Sequence, residues 1–188
     1  MNNITIMFQK IKINKGCSAG GKNTNFNGLS YENITNITIK LESKEIKKFG
    51  KNINDIYHMY EINNNIIYRL IKNGLKNFLI NEYNSKCEKN LEPDECFVNV
   101  KNKKIYILEK KFQQVSGSVD EKIQTAQFKF EYYKELYPTF TIKYAYVLSD
   151  WFKADKYKPE MRYLEKYNFA VFWGSDENYI KNLIKWIN

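Results

Sequence analysis

Apolar and polar positions alternate most legibly in the second half of the chain. Two short β-prone runs, residues 97–100 and 105–108, flank the polar tetrapeptide Lys101-Asn102-Lys103-Lys104. That arrangement predicts a β-hairpin. With Asn102-Lys103 as the tight turn, Asp94 falls near Lys111 and Cys96 lies opposite Glu109. Beyond the hairpin, Ser118-Val119-Asp120-Glu121 matches a capping box with Ser118 as N-cap. A helix then runs to about Leu136, with Ile123, Ala126, Phe130 and Tyr133 as its apolar stripe and Pro138 past its end. Residues 141–148 are apolar on both sides, as a central strand requires. A proline-started helix over 159–167, a buried strand over 169–173 and a final helix capped by Ser175 follow, the last with Leu183, Ile184 and Ile187 inward. From Phe97 on, the order is β-β-α-β-α-β-α. It predicts an α/β fold, a mixed sheet of at least four strands flanked by helices.

The first half reads differently. Residues 2–15 form a short strand or arm, and 14–28, rich in Gly, Ser, Asn and Lys, a loop. A helix opens at Gly28-Leu29-Ser30-Tyr31-Glu32, weakened by the β-branched run 34–39; residues 38–41 fit a strand equally well. Ile46, Phe49, Ile53, Ile56 and Tyr60 recur at roughly helical spacing over 44–61. Over 66–83, Ile67, Leu70, Ile71, Leu75, Phe78 and Leu79 predict one amphipathic helix, its stripe facing the core or a dimer partner. Residues 84–92 link this helix to Pro93. The chain is therefore expected to be a single domain, 1–188: a mainly helical part at 1–90, and a hairpin with an αβαβα core at 91–188.

Charge adds a candidate partner. Thirty Lys and Arg against 21 Asp and Glu give +9, which suits a polyanion. Only Arg69 and Arg162 are arginines, so the charge is almost all lysine. Lysine serves phosphate contacts well, whereas scarce arginine leaves few bidentate guanine readers. A lysine- and asparagine-rich composition bias accounts for the same numbers. Cys17, Cys87 and Cys96 lack CxxC spacing and fit a reducing cytoplasm as small buried residues rather than a zinc site with His58. His58, the sole histidine, is read as structural or as a minor DNA contact. No signal peptide and no membrane span are expected.

The hairpin carries the candidate chemistry. Residues that pair directly, and residues two apart on one strand, share a face. Asp94, Glu109, Lys111 and Gln113 then gather on one side, although a one-residue slip would scatter them. Two carboxylates are hard oxygen ligands suited to Mg²⁺, which acidifies bound water and offsets phosphate charge. A neighbouring lysine orients that water or offsets charge. This is an apparatus for phosphodiester hydrolysis; the bland reading is a surface ion pair of Glu109 with Lys111, worth little.

These residues resemble a known family. Pro93-Asp94, then Glu109-x-Lys111 at the end of the second hairpin strand, looks like the PD-(D/E)XK nuclease signature. Its extension to Gln113, followed by Gly117-Ser118-x-Asp120-Glu121-Lys122, resembles a pattern of type II restriction endonucleases. The resemblance implies a restriction-endonuclease-like core and a Mg²⁺-dependent, sequence-specific enzyme that cuts double-stranded DNA to leave 5′-phosphates. It implies Asp94 and Glu109 as metal ligands, Lys111 as the lysine that positions water, and Gln113 as an aid to substrate or lysine. Gly28-x-x-Tyr31-Glu32 is similar to an early helix of that family, which places Glu32 near the metal; as a bare residue Glu32 is a solvent-facing charge. A homodimer on a palindromic site and a cognate DNA methyltransferase encoded nearby are the partners implied.

DNA contacts are expected from Lys22 and Asn23 in the loop, and from Ser116, Ser118, Lys122 and Gln124 beside the hairpin, through a helix N-terminus. The plain alternatives are a solvated loop and a Ser118 that only caps. Two other functions fit the same sequence: a repair or junction-resolving nuclease of the same fold, and a basic nucleic-acid-binding module without catalysis.

Overall fold

The computed structural model describes residues 22–37, 44–48, 56–84, 91–114 and 119–188. Its centre is one seven-stranded sheet whose strands lie in chain order: β1 (Lys44–Lys48), β2 (Ile56–Ile62), β3 (Asn65–Leu70), β4 (Glu95–Asn99), β5 (Lys104–Lys111), β6 (Thr141–Leu148) and β7 (Ala170–Trp173). Strands β1 to β5 pair antiparallel, and β5, β6 and β7 pair parallel. Parallel neighbours need crossover connections. Helices α3 (Val119–Gln124) and α4 (Ala126–Leu136) supply the first, and α5 (Lys158–Lys166) the second. Helices α1 (Lys22–Ile34), α2 (Gly74–Tyr83) and α6 (Tyr179–Ile187) complete the α/β architecture among the described residues.

Both faces of the sheet are covered. On one face Leu75, Phe78 and Leu79 of α2, Ile123 and Ala126, Tyr133 and Leu164 pack on Cys96, Val98, Ile105, Ile107, Tyr144 and Tyr146. On the other, Tyr31 of α1 and Tyr179, Leu183 and Ile187 of α6 pack on Ile67, Phe97, Tyr106, Leu108, Ala145 and Val147. Residues 144–148 are buried throughout, as the central β6 requires.

The first half departs from its helical reading. It supplies three of the seven strands. Of the positions spaced over 44–61, Ile46 lies in β1 and Ile56 and Tyr60 in β2, while Phe49 and Ile53 lie outside the described residues; the stripe over 66–83 is split between β3 and α2. Ile67 and Leu70 in fact point to opposite faces of the sheet. The turn between β2 and β3 is the two-residue Asn63-Asn64, with φ 48° and 63°. Asparagine tolerates this left-handed conformation, which is what a tight hairpin needs. The predicted loop at 14–28 is helical from Lys22 on, so Lys22 and Asn23 sit at the start of α1.

Smaller corrections follow downstream. The helix after the hairpin is two helices broken at Thr125, whose hydroxyl donates to the Lys122 carbonyl (2.8 Å). Strand β7 is half-buried because it is the sheet's edge. Ser175 does not cap α6: its hydroxyl donates to Asp150 (2.6 Å), and Asn178 takes the cap position. The predicted arm at 2–15, the loop at 14–21, the strand alternative at 38–41, the linker residues 85–90, Cys17, Cys87, Ser116 and Ser118 lie outside the described residues.

Candidate active site

The hairpin register places the site. Predicted pairing put Cys96 opposite Glu109; instead Cys96 pairs with Ile107 and Glu95 with Leu108. The cause is a four-residue connection, 100–103, closed by Lys103 N–H donating to the Val100 carbonyl (3.2 Å), with Lys103 at φ 49°. The Asn99 side chain accepts from Asn102 N–H (3.0 Å) and steadies it. The difference is two residues, so face parity survives. Asp94, Glu109 and Lys111 share one face, and Glu95 and Lys110 take the other.

Asp94 sits just before β4, held by its main-chain surroundings. Its Oδ2 accepts from Lys110 N–H (2.8 Å) and from Lys111 Nζ (3.1 Å). Glu109 Oε2 accepts from the same Lys111 Nζ (2.9 Å). Both carboxylates therefore converge on one ammonium at the end of β5. Glu32 joins from α1: its Oε2 lies 3.4 Å from Lys72 Nζ, which also donates to Asp94 Oδ1 (2.9 Å). Lys129 of α4 donates to Glu109 Oε2 (2.9 Å). Three carboxylates and three ammonium groups thus form one chain, Glu32–Lys72–Asp94–Lys111–Glu109–Lys129.

The local field sets the protonation states. Burial works to raise the Asp94 carboxyl, but Lys111 and Lys72 outweigh it and bring it down to about 2. Burial likewise works against the charged form of Lys111, and Glu109 and Asp94 overcome it, so Lys111 is raised and stays an ammonium. Glu32 is raised, first by burial and then by Asp94.

The other candidates are placed as follows. Gln113, two residues past β5, is buried. Its N–H donates to the Ser149 hydroxyl (3.1 Å), which donates back to the Gln113 carbonyl (3.0 Å). Lys122 and Gln124 are exposed on α3. Tyr146 OH, on the residue paired with Glu109, donates to the Lys122 carbonyl (3.2 Å), which seats α3 over the site's rung of the sheet. His58 lies on β2 opposite Arg69, away from the end of β5. Cys96 is a free, fully buried thiol whose pKa is raised by burial.

Two site lysines escaped the sequence reading. Lys129 had a signal: it falls between Ala126 and Tyr133 at i+3 and i−4, so it is a charge on the helix's buried side. Lys72 had none. It follows β3 in a turn with φ 47°, and its N–H donates to the Pro93 carbonyl (3.0 Å), a contact between distant segments.

No family model, no curated protein and no solved structure matches this chain.

Proposed function

We propose that this protein is a Mg²⁺-dependent endonuclease for double-stranded DNA, working at the end of β5. One observation carries the reading. Asp94 Oδ2 and Glu109 Oε2 both lie within 3.1 Å of Lys111 Nζ, on one face of the hairpin at the end of β5.

The donor set fits a hard divalent cation. Two carboxylate oxygens already share one cationic partner, and Asp94 is ionised well into acid. The competing ammonium groups of Lys72 and Lys129 are the more exposed ones, at 27% each against 13% for Lys111, so they have room to swing away. Asp94 and Glu109 would hold the ion, with Glu32 next to them as an outer carboxylate. When bound, Mg²⁺ lowers the pKa of water and offsets charge on the phosphate.

The chain's own groups do the rest. Lys111, a permanent ammonium, donates hydrogen bonds to the attacking water and to a phosphate oxygen, which aligns them in line with the leaving group. Water adds to phosphorus, the bond to the 3′-oxygen breaks, and a 5′-phosphate and a 3′-hydroxyl result. Lys72 and Lys129, released from the carboxylates, contact the neighbouring phosphate oxygens. The +9 charge supports a polyanionic substrate, and exposed Lys122 and Gln124 on α3 extend the contact surface. Restriction-type action adds a two-fold dimer on a palindromic site and a methyltransferase that protects the host.

The test is cleavage of unmethylated phage DNA in Mg²⁺ or in EDTA, with Lys111→Ala alongside. Discrete fragments that need both Mg²⁺ and Lys111 are expected. Losing one such donor costs about 10²–10³ in rate. Equal cutting by Lys111→Ala would remove the site assignment. A smear would redirect the reading to a structure-selective nuclease, and binding without cutting to a non-catalytic module.

A further inference from the structure

Directly beneath the site, on the opposite face of the sheet, lies a second ionic cluster. Glu95, fully buried, pairs with Lys110 Nζ (2.7 Å) and with Arg69 Nε. The Lys110 and Arg69 side chains are only 2% and 6% exposed. Its members alternate with the site's residues along the same strands: Asp94 with Glu95, and Glu109 and Lys111 with Lys110. Charges sealed this deeply are costly unless well paired. Burial works to raise the Glu95 carboxyl, yet Lys110 and Arg69 hold it below its ordinary value.

One contact links this cluster to the site. Lys110 Nζ also donates to the main-chain carbonyl of Glu32 (3.1 Å). Glu32 stands in the last turn of α1, where carbonyls lack partners within the helix. The neighbouring Tyr31 carbonyl is taken by Thr35 N–H (3.1 Å) and the Thr35 hydroxyl (2.6 Å), the latter lying a looser 3.4 Å from the Glu32 carbonyl. A buried cation at a helix C-terminus is favourable both as a hydrogen-bond donor and toward the helix dipole. The residue it caps is the one whose side chain reaches Lys72 in the site.

We infer that Lys110, braced by Glu95 and Arg69, is a positioning residue that fixes α1 by the Glu32 carbonyl and so aims the Glu32 carboxylate into the active site. The inference rests on the nuclease reading for its catalytic consequence and on geometry alone for the anchoring. Strand β5 thereby serves both faces at once: Glu109 and Lys111 face substrate while Lys110 sets the helix that delivers the third carboxylate. Glu95 is shared with Arg69 of β3, so the brace ties together β3, β4 and β5.

Lys110→Met and Lys110→Arg test this against wild type. Methionine removes the donor but leaves Glu95 and Arg69 as one balanced pair, so the sheet keeps its fold. Peptide-resolved hydrogen exchange and DNA cleavage in Mg²⁺ are read on the same preparations. In Lys110→Met the amides of 31–37 should exchange at least about tenfold faster, as loss of a charge-assisted bond implies, with β4 and β5 unchanged. Cleavage should fall about 100-fold at constant DNA affinity, because misplacing a site group by about 1 Å costs that much. Lys110→Arg, which keeps charge and donors, should restore both. Unchanged exchange over 31–37 overturns the inference whatever the activity, and so does a released α1 with an unchanged cleavage rate. If wild-type protein cuts no DNA in Mg²⁺, the nuclease reading fails, and the exchange measurement alone then upholds or overturns the anchoring.

Discussion

Lys111 is a partly buried ammonium between two carboxylates, and its raised pKa makes it a donor rather than a base. Asp94 shows the reciprocal effect, held at about 2 against an ordinary 3.8. A folded value below the unfolded one stabilises the fold above the unfolded value, and the gain is lost as pH falls through the folded value. The gap corresponds to roughly 2 kcal/mol. In EDTA, Asp94→Asn should lower stability by that order at pH 7, and its deficit against wild type should close between about pH 4 and about pH 2. Denaturant midpoints across that range check it; a deficit that persists at pH 2 would mean the lysines are not its cause. Lys129 offers a different readout. On the proposed metal reading it would compete with the ion for Glu109, so Lys129→Met should bind Mg²⁺ about three- to tenfold more tightly without DNA, the equivalent of one partly buried ion pair. Calorimetric titration measures this, and weaker binding would place Lys129 among the metal's supports instead of its competitors.

Helix α1 has to be seated closely for Glu32 to reach the site. Its last turn rests on Gly174, just past β7, where a Cβ would meet the Tyr31 ring at 2.7 Å and the Thr35 methyl at 2.8 Å. Tyr179 OH of α6 also donates to the Thr35 carbonyl (2.9 Å). Tyr31 and Thr35 flank Glu32 in the same turn of chain, so a shift of either to make room acts next to Glu32. Gly174→Ala should therefore cost about 1–3 kcal/mol by overpacking. It should also slow cleavage more than it weakens DNA binding. Thermal melts and kcat against KM separate the two effects, and a variant as stable and active as wild type would mean α1 is loosely held. The elements legible in the sequence were those with an unambiguous period. The hairpin, β6 and α5 appear where their patterns place them. Strands β2 and β3 did not, because residues at i, i+3 and i+4 across a strand and a following helix imitate one helical stripe. The true signal was Asn63-Asn64 between Ile62 and Asn65, a hairpin turn made without glycine.

The whole molecule is a basic α/β sheet covered on both faces, with its ionic site at one sheet end. None of its described helices is long and apolar enough to cross a membrane. With charge carried by lysine, phosphate contacts should dominate affinity. About four such contacts would make DNA binding fall roughly 100-fold between 50 and 200 mM salt. Fluorescence anisotropy over that range tests this, and a flat salt response would argue against a phosphate-tracking surface. A restriction-type enzyme should also sediment as a dimer when it binds cognate DNA; a strictly monomeric complex would favour a nuclease that nicks or reads DNA shape.

The fold class of the second half and the placing of Asp94, Glu109 and Lys111 on one face follow from local pattern. They do so because strand parity is local: residues two apart share a side, and a register error of two leaves the side unchanged. Glu32 was legible only through a motif, since a helical glutamate has no local mark that distinguishes a site residue from a surface charge. Tertiary structure alone decided the rest. Lys72 reaches Asp94 because the turn after β3 is tied to Pro93, and Lys110 finds both Glu95 and the end of α1 across the sheet. These contacts join segments far apart in the chain, and no local period encodes them. For Lys110 and Glu95 the cause is burial, which penalises a charge left without a partner.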